Sequence, residues 1–139
     1  LVADPPLFPA EARARGRAVW FEEYADTIML PTLGPAIFNR FVAPRLRGMA
    51  GDEDAALAAL EKFIPVLAYL ESVAPEQGWL AGEFSLGDIA VASMIRTMDY
   101  IDAALDAAQY PAIAAWYARV CARPAWQEVA RREATLAAL

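Results

Sequence analysis

A chain of 139 residues has the size of one domain, and its 58% hydrophobic content excludes a disordered segment and predicts a single apolar core. The 18 acidic and 12 basic residues give a net charge of −6 without an extended basic cluster, so we expect no nucleic-acid ligand. Histidine is absent and Cys121 is the single cysteine, which excludes a His/Cys metal site, Cys/His or Ser/His catalysis and an internal disulfide.

Residues 1–10 are predicted to be the remnant of an interdomain linker. Pro5, Pro6 and Pro9 stand within them, and proline blocks helix interiors and removes backbone donors. Because a linker joins two domains, we expect that a domain precedes it in the parent protein. Residues 11–139 are then the second domain.

Residues 11–47 are predicted to form a long amphipathic helix that is kinked or divided into two parts. Apolar side chains in residues 19–29 recur at spacings of three and four. Pro31 and Pro35 interrupt that pattern before it resumes and ends near Arg47.

A second helix is predicted to begin after Asp52, which is suited to its N-cap position. Its apolar positions repeat with helical period from Leu57 to about Val73. Pro65 lies inside this helix and should bend it without ending it.

The clearest local signal is a predicted capping box. Ser85 is suited to accept a hydrogen bond from the Asp88 amide, and the Asp88 carboxylate is suited to accept one from the Ser85 amide. Phe84 and Ile89 occupy the positions of a hydrophobic staple. The helix that follows is apolar on almost every side as far as Ile95, so we expect it to be the central helix.

Two further helices complete the predicted fold. Pro111 is suited to the first turn of one, which ends at Pro124, and an amphipathic helix then covers residues 125–137 with Trp126 and Val129 on its apolar face. No segment alternates as a strand does. The sequence therefore predicts an all-α fold of five to six helices.

A family resemblance rests on two motifs. Residues 79–90, with the sequence WLAGEFSLGDIA, resemble the capping-box region in the C-terminal helical domain of the glutathione S-transferase superfamily. Residues 110–120 and the Arg-Pro-Ala turn at 123–125 are similar to that domain's penultimate helix and turn. Residues 6–9 are similar to the end of the interdomain linker. The resemblance implies a glutathione-transferase C-terminal helical bundle.

The resemblance also implies a division of labour within a two-domain, homodimeric parent. An N-terminal thioredoxin-like domain binds the co-substrate glutathione and holds the thiol-activating residue, and the helical domain supplies most of the pocket for a small hydrophobic electrophile. No catalytic residue is transferred to this chain. An isomerase or a peroxide-reducing thiol transferase is an alternative activity on the same fold.

A non-catalytic interaction module is the alternative from another class. The gamma subunit of translation elongation factor 1 and a bacterial stringent-starvation protein that binds RNA polymerase use this fold in that way, and fold alone does not separate the two classes.

The resemblance places the electrophile pocket on the first helix. Its residues would be Trp20, Tyr24, Thr27, Leu30 and Pro31, with the Tyr24 hydroxyl at the pocket mouth. The alternative is that they pack against neighbouring helices or the missing domain. Leu30 and Pro31 stand where related bacterial enzymes carry a His-Lys pair, which favours an apolar co-substrate.

Glu23 and Asp26 are candidates for contact with glutathione across the dimer interface. The resemblance implies a polar residue of this helix near the γ-glutamyl end, and a carboxylate can pair with its ammonium group. The alternative is a solvated acidic face.

Two further groups are assigned to structure. Ser85 and Asp88 have no base with which to form a nucleophile, and the cap accounts for both. Cys121 is predicted to be a core residue because it lies in an apolar-periodic helix.

The compartment is predicted from what the sequence lacks. A lone cysteine is typical of a reducing compartment. There is no apolar run of about 18 residues. The N-terminus has neither the basic nor the apolar region of a signal peptide. We therefore expect a cytoplasmic protein without a membrane segment.

Overall fold

The computed structural model describes residues 6–137, with side chains as far as residue 134, and this part of the chain folds into five helices without a β-sheet. Its extended pairings are two isolated bridges, Trp79 with Gly82 and Ala81 with Glu83. The predicted all-α class is therefore confirmed. Of the predicted linker, residues 1–5 lie outside the described residues, and residues 6–10 precede the first helix without regular structure.

The first helix, α1, covers residues 12–46 in four joined pieces. Two α-helical pieces, Ala12–Tyr24 and Leu30–Ile37, alternate with two π-helical pieces, Ala25–Met29 and Phe38–Leu46. The backbone keeps right-handed helical angles at each junction, so no loop separates the pieces. The predicted kinked or divided helix that ends near residue 47 is confirmed.

Two of the three prolines of α1 lie in or beside its π-helical turns. Pro31 and Pro44 have no amide hydrogen, so the regular pattern of hydrogen bonds cannot continue through them. The Leu30 amide donates to the carbonyl of Ala25, five residues back instead of four. A bond of the same span closes the helix at Arg47.

The second helix, α2, spans Glu53–Val73 and begins where the sequence predicts. The Asp52 side chain accepts a hydrogen bond from the Ala55 amide at 3.0 Å. Arg40 of α1 forms an ion pair with Glu53 and donates to the carbonyl of Ile101 at 3.0 Å. One guanidinium thus joins the C-terminal part of α1 to two other segments.

Two arginines fix the loop that follows α2. The Arg119 guanidinium donates to the carbonyls of Pro75, Glu76 and Gly78 at 2.6, 3.1 and 3.2 Å. The Arg17 guanidinium donates twice to the carbonyl of Leu80, at 2.9 and 3.2 Å. These bonds hold the loop against both α1 and the penultimate helix.

The remaining helices are α3, Leu86–Asp99, α4, Pro111–Cys121, and α5, Pro124–Ala137. The N-terminus of α4 is capped from a distance. Both carboxylate oxygens of Glu71 in α2 accept hydrogen bonds, from the amides of Ala112 and Ile113 at 2.8 and 2.9 Å. A negative charge at a helix N-terminus is favourable because of the helix dipole.

The core lies between α3 and the helices around it. Val91, Ala92 and Ile95 are buried, and Gly87 lets α1 and α3 approach closely. A Cβ atom on Gly87 would lie 2.8 Å from the Ala18 carbonyl oxygen.

The prediction that α3 is apolar and enclosed on almost every side holds for part of its surface. Its face at Ser93, Arg96 and Thr97 is polar, and Ser93 is exposed. The cause lies in the sequence of the helix after residue 92, where hydroxyl and guanidinium groups replace apolar side chains on this face.

Candidate functional site

The predicted pocket residues of α1 divide between the surface and the core. Trp20 is 50% exposed and Leu30 46% exposed, and Thr27 and Pro31 are also exposed. Tyr24 is 5% exposed and points into the core. The structure therefore brings four of the five residues to the outer face of α1 and places the fifth beneath it.

Tyr24 supports this face from inside. Its hydroxyl donates to the carbonyl of Val66 at 3.2 Å, and its ring lies 5.0 Å from the ring of Tyr69. The Tyr69 hydroxyl in turn accepts a hydrogen bond from Trp20 Nε1 at 3.1 Å. Burial, with a smaller contribution from Tyr69, raises the pKa of Tyr24 to about 12. The hydroxyl is thus committed to α2 and does not open onto the surface.

Glu23 and Asp26, the predicted glutathione contacts, are both exposed on α1. The hydroxyl of Thr27 donates to the Glu23 carbonyl at 2.6 Å, which leaves the oxygen lone pairs of the hydroxyl as acceptors. No ion pair engages either carboxylate among the described residues.

The capping box at the start of α3 is present, as the sequence predicts. Asp88 is fully buried, and its two carboxylate oxygens accept four hydrogen bonds. Oδ2 accepts from the Ser85 amide at 3.0 Å and the Ser85 hydroxyl at 3.2 Å. Oδ1 accepts from the Leu80 amide and from Trp116 Nε1, both at 2.9 Å. The carboxylate therefore joins the loop before α3 to α4 and has no capacity left for a substrate.

A groove of 480 Å³ lies between α3 and α5, with Leu7 among its walls. Its volume is in the range of small-molecule sites. Phe84, Ile89, Trp126 and Val129 give it apolar walls, so the two predicted staple residues both face it. The groove was not predicted: the sequence indicated the apolar face of α5, but α3 was expected to be apolar on almost every side. The missing information was how α5 packs beside α3.

The polar groups of the groove carry more positive than negative charge. Arg96 lies 3.4 Å from a carboxylate oxygen of Glu133, and the Tyr100 hydroxyl donates to the same oxygen at 2.8 Å. The pKa of Tyr100 is raised, mainly because its hydroxyl is buried and to a smaller extent because it donates to the Glu133 carboxylate. Arg123 lies over the Phe84 ring, with 3.5 Å between Cζ and the ring centroid. The groove thus holds two guanidinium groups and one carboxylate.

Other reactive groups are few in the described part of the chain. Cys121 is partly buried beside Tyr117. The pKa of Tyr117 is raised, mainly by burial of its hydroxyl and to a smaller extent by the neighbouring Cys121 thiol. No cluster of three histidine, cysteine, aspartate or glutamate side chains suited to a metal ion occurs within the described residues. None of the helices described is both long enough and apolar enough to cross a membrane.

Comparison with protein families gives a match over most of the chain. The family model of the glutathione S-transferase C-terminal domain matches residues 24–124. A probable glutathione S-transferase of Oryza sativa subsp. japonica, GSTF2, is 29% identical over 113 residues, which are 81% of this chain and 52% of the rice protein. The chain thus spans about half the length of that relative.

Solved structures agree with this match. FzlA from C. crescentus superimposes with a TM-score of 0.81 at 26% identity, over 91% of this chain and 57% of FzlA. Glutathione S-transferase-I bound with lactoylglutathione superimposes with a TM-score of 0.79 at 25% identity, over 91% of this chain and 61% of that one. Glutathione transferase F7 from Populus trichocarpa superimposes with a TM-score of 0.77 at 25% identity, over 90% of this chain and 59% of the poplar protein.

Proposed function

The chain belongs to the glutathione S-transferase family as a C-terminal domain, and on that premise we propose that its parent protein transfers glutathione to a small hydrophobic electrophile. In this proposal the helical domain forms the apolar side of the electrophile pocket and contributes to a homodimer interface. An upstream thioredoxin-like domain binds glutathione and activates its thiol. Because the chain spans 52% of the rice relative, the activity is assigned to a longer protein.

The exposed apolar face of α1 carries the proposal. Trp20, Leu30 and Pro31 lie on the surface of a helix that also has a well-buried side. Exposed apolar area is unfavourable in water at about 25 cal/mol per Å², and covering it favours binding of an apolar partner. Trp20 is held in place by its bond to Tyr69, so this wall is organised before any ligand arrives.

Glu23 and Asp26 are assigned to the charged end of glutathione. Both carboxylates are exposed on α1 and free of ion pairs among the described residues, so they are able to pair with the γ-glutamyl ammonium group of a glutathione held by the second protomer. The matched control is Glu22, which neighbours Glu23 but is partly buried. We expect Glu23→Gln to weaken glutathione binding and Glu22→Gln to leave it unchanged.

In the chemical step the glutathione thiolate attacks the electrophile, and this domain contributes by positioning. Holding two reactants together in a productive geometry lowers the barrier without any group of the helical domain exchanging a proton. Tyr24 keeps its proton at neutral pH, since even the ordinary tyrosine pKa of 10.0 lies well above 7 and burial raises it to about 12, which fits a supporting role. The lone cysteine agrees with a cytoplasmic, reducing environment for such a thiol.

The test uses the full-length protein that contains this chain. We expect it to bind immobilised glutathione and to conjugate an apolar electrophile, and we expect the isolated domain to do neither. A full-length protein that neither binds nor turns over would refute the transferase and support the non-catalytic interaction module. Turnover by the isolated domain would contradict the assignment of thiol activation to an upstream domain.

A further inference from the structure

Apolar side chains are exposed together at the C-terminal end of α1 and in the turn that follows it. Leu46 is 69% exposed, the highest value among the large apolar side chains described, and Met49 and Phe38 are 53% and 38% exposed. We call this surface the α1 tip, and it consists of Phe38, Phe41, Arg45, Leu46, Arg47 and Met49. Exposed apolar groups that are gathered in one place are typical of an interaction surface.

The backbone holds the α1 tip in one shape. The Met49 amide donates to the Ala43 carbonyl at 2.9 Å, which folds the chain back onto the last turn of α1. Gly48 makes this turn possible, because its φ of 60° is disfavoured for other residues. The Asn39 side chain accepts a hydrogen bond from the Asp52 amide at 2.9 Å and ties the end of the turn to α1. Since the tip is already ordered, little conformational entropy is lost when a partner binds it.

Two guanidinium groups flank the apolar side chains of the tip. Arg47 Cζ lies 5.7 Å from the centroid of the Phe38 ring, and Arg45 Cζ lies 5.3 Å from the centroid of the Phe41 ring. Stacking on a ring orients the plane of each group. Neither group forms an ion pair with any described residue. A planar guanidinium with free N–H groups binds a carboxylate through two parallel hydrogen bonds. The tip thus offers apolar area beside two positions for carboxylates.

We propose that the α1 tip binds a segment of another protein in which carboxylates flank apolar side chains. The apolar side chains of that segment cover Leu46 and Met49, and its carboxylates pair with Arg45 and Arg47. The tip lies at the opposite end of α1 from residues 6–10, roughly 50 Å away along the helix at about 1.5 Å per residue. It is a different surface from the predicted pocket residues, and the inference does not depend on the transferase proposal.

The charges around the tip favour such a segment over a lipid bilayer with anionic headgroups. Residues 52–54 are all acidic and begin α2 beside the tip, so a broad anionic surface would approach their carboxylates as well as the two guanidinium groups. The net charge of −6 adds repulsion from such a surface. Segments that bind anionic lipids also carry about four to eight basic residues. A peptide segment is narrow enough to contact Arg45 and Arg47 without covering the start of α2.

The test selects peptides from a random library displayed on phage, with the full-length protein immobilised, and measures the affinity of each enriched peptide by fluorescence anisotropy. We expect the enriched peptides to place Asp or Glu beside large apolar residues. The double variant Arg45→Glu/Arg47→Glu should bind them about tenfold or more weakly, because like charges then meet in the complex. Peptides with lysine in place of their acidic residues should bind the double variant and not the native protein.

Single variants supply the matched control. Arg47→Glu and Arg13→Glu change the net charge equally, but Arg13 is exposed at the other end of α1. We expect Arg47→Glu to weaken peptide binding and Arg13→Glu to leave it unchanged. Leu46→Ala should weaken binding as well, since it removes apolar area from the contact. Thermal unfolding of each variant checks that it is folded, and glutathione binding by the full-length protein should be the same in all of them.

Three outcomes would overturn the proposal. The first is a selection that yields no acidic and apolar peptide, or yields peptides whose affinity is the same for the native protein and the double variant. The second is co-sedimentation with vesicles of phosphatidylglycerol and phosphatidylcholine in place of peptide binding, lost in the double variant, which would assign the tip to a membrane surface. The third is self-association in analytical ultracentrifugation that the double variant abolishes, which would assign the tip to a second copy of this chain.

Discussion

At the first turn of α3 the Asp88 carboxylate is fully buried and accepts four hydrogen bonds, whereas on the outer face of α1 the carboxylates of Glu23 and Asp26 are exposed and unpaired among the described residues. The Asp88 carboxylate has no acceptor capacity left, since each of its oxygens already has two donors. The carboxylates of Glu23 and Asp26 remain able to bind a ligand. The contrast teaches that a polar side chain in this domain is a candidate for function only where the fold has left its hydrogen-bonding capacity unused.

The largest expected effect is at Asp88. Replacing it by alanine leaves the amides of Ser85 and Leu80 and the indole of Trp116 without their acceptor in a buried site. We expect Asp88→Ala to lower the free energy of unfolding by about 3–5 kcal/mol, measured by chemical denaturation. Asp88→Asn, which keeps the shape and one acceptor oxygen, should cost less. If Asp88→Ala left stability unchanged but altered the substrate affinity of the parent, the carboxylate would belong with the binding residues.

Gly87 tests the packing beside this cap. A Cβ atom there would lie 2.8 Å from the Ala18 carbonyl oxygen and 2.9 Å from Phe21 Cβ, so α1 and α3 would have to separate. We expect Gly87→Ala to destabilise the fold by about 1–3 kcal/mol through overpacking. Thermal and chemical unfolding measure the change.

Gly16 is the matched control, because it lies in α1 and a Cβ atom added there would meet no other atom within 4 Å. Alanine at an exposed helical site stabilises by about 0.5–1 kcal/mol relative to glycine. Gly16→Ala should therefore act in the opposite direction. Equal effects of the two substitutions would mean that close approach of α1 and α3 is not needed.

The cap was predictable because its signal is local. Ser85 and Asp88 are three residues apart, and helical periodicity gives the helices on either side of them. The bond from Trp116 to Asp88 and the cap that Glu71 provides for α4 join residues far apart in sequence. Hydrogen bonds between residues far apart in sequence depend on how the helices pack, so no local sequence pattern predicts them.

The candidate site was predictable only in part for the same reason. Spacing placed Tyr24 in the same stripe as Trp20 and Thr27, but a stripe of helical period is wide enough to include one residue that turns inward. The π-helical turns of α1 widen the helix locally and shift which residues share a face. The groove depended on how α5 packs, and the sequence of α5 alone does not contain that.

Tyr24 lies where the two regions meet, in the core beneath the exposed face. We expect Tyr24→Phe to cost about 1 kcal/mol at neutral pH, because the bond to the Val66 carbonyl is lost. The pKa of Tyr24 is raised from 10.0 to about 12, so the folded state holds its proton where the unfolded state releases it. Stability is thus full below pH 10 and falls as the pH rises through 12.

Denaturation at several alkaline pH values should therefore show a shallower decline for Tyr24→Phe than for the native protein. Some decline remains, because burial raises the pKa of Tyr117 too. An unchanged slope would mean that the Tyr24 hydroxyl is not buried in solution.

The smallest effect on stability is expected at Leu30, on the outer face of α1, where 46% of the residue is exposed. Leu30→Ala should change the free energy of unfolding by about 0.5 kcal/mol or less, since surface substitutions remove little packing. In the full-length protein the same change should raise the KM for an apolar electrophile by about tenfold, because the pocket wall loses apolar contact area. Val19→Ala is the control, since Val19 is 39% exposed on the same helix and lies outside the predicted stripe. Equal effects on KM from both substitutions would place the electrophile elsewhere. A loss of stability at Leu30 would mean that this side chain, like the Asp88 cap of α3, serves the packing of the fold and is not available to bind a ligand.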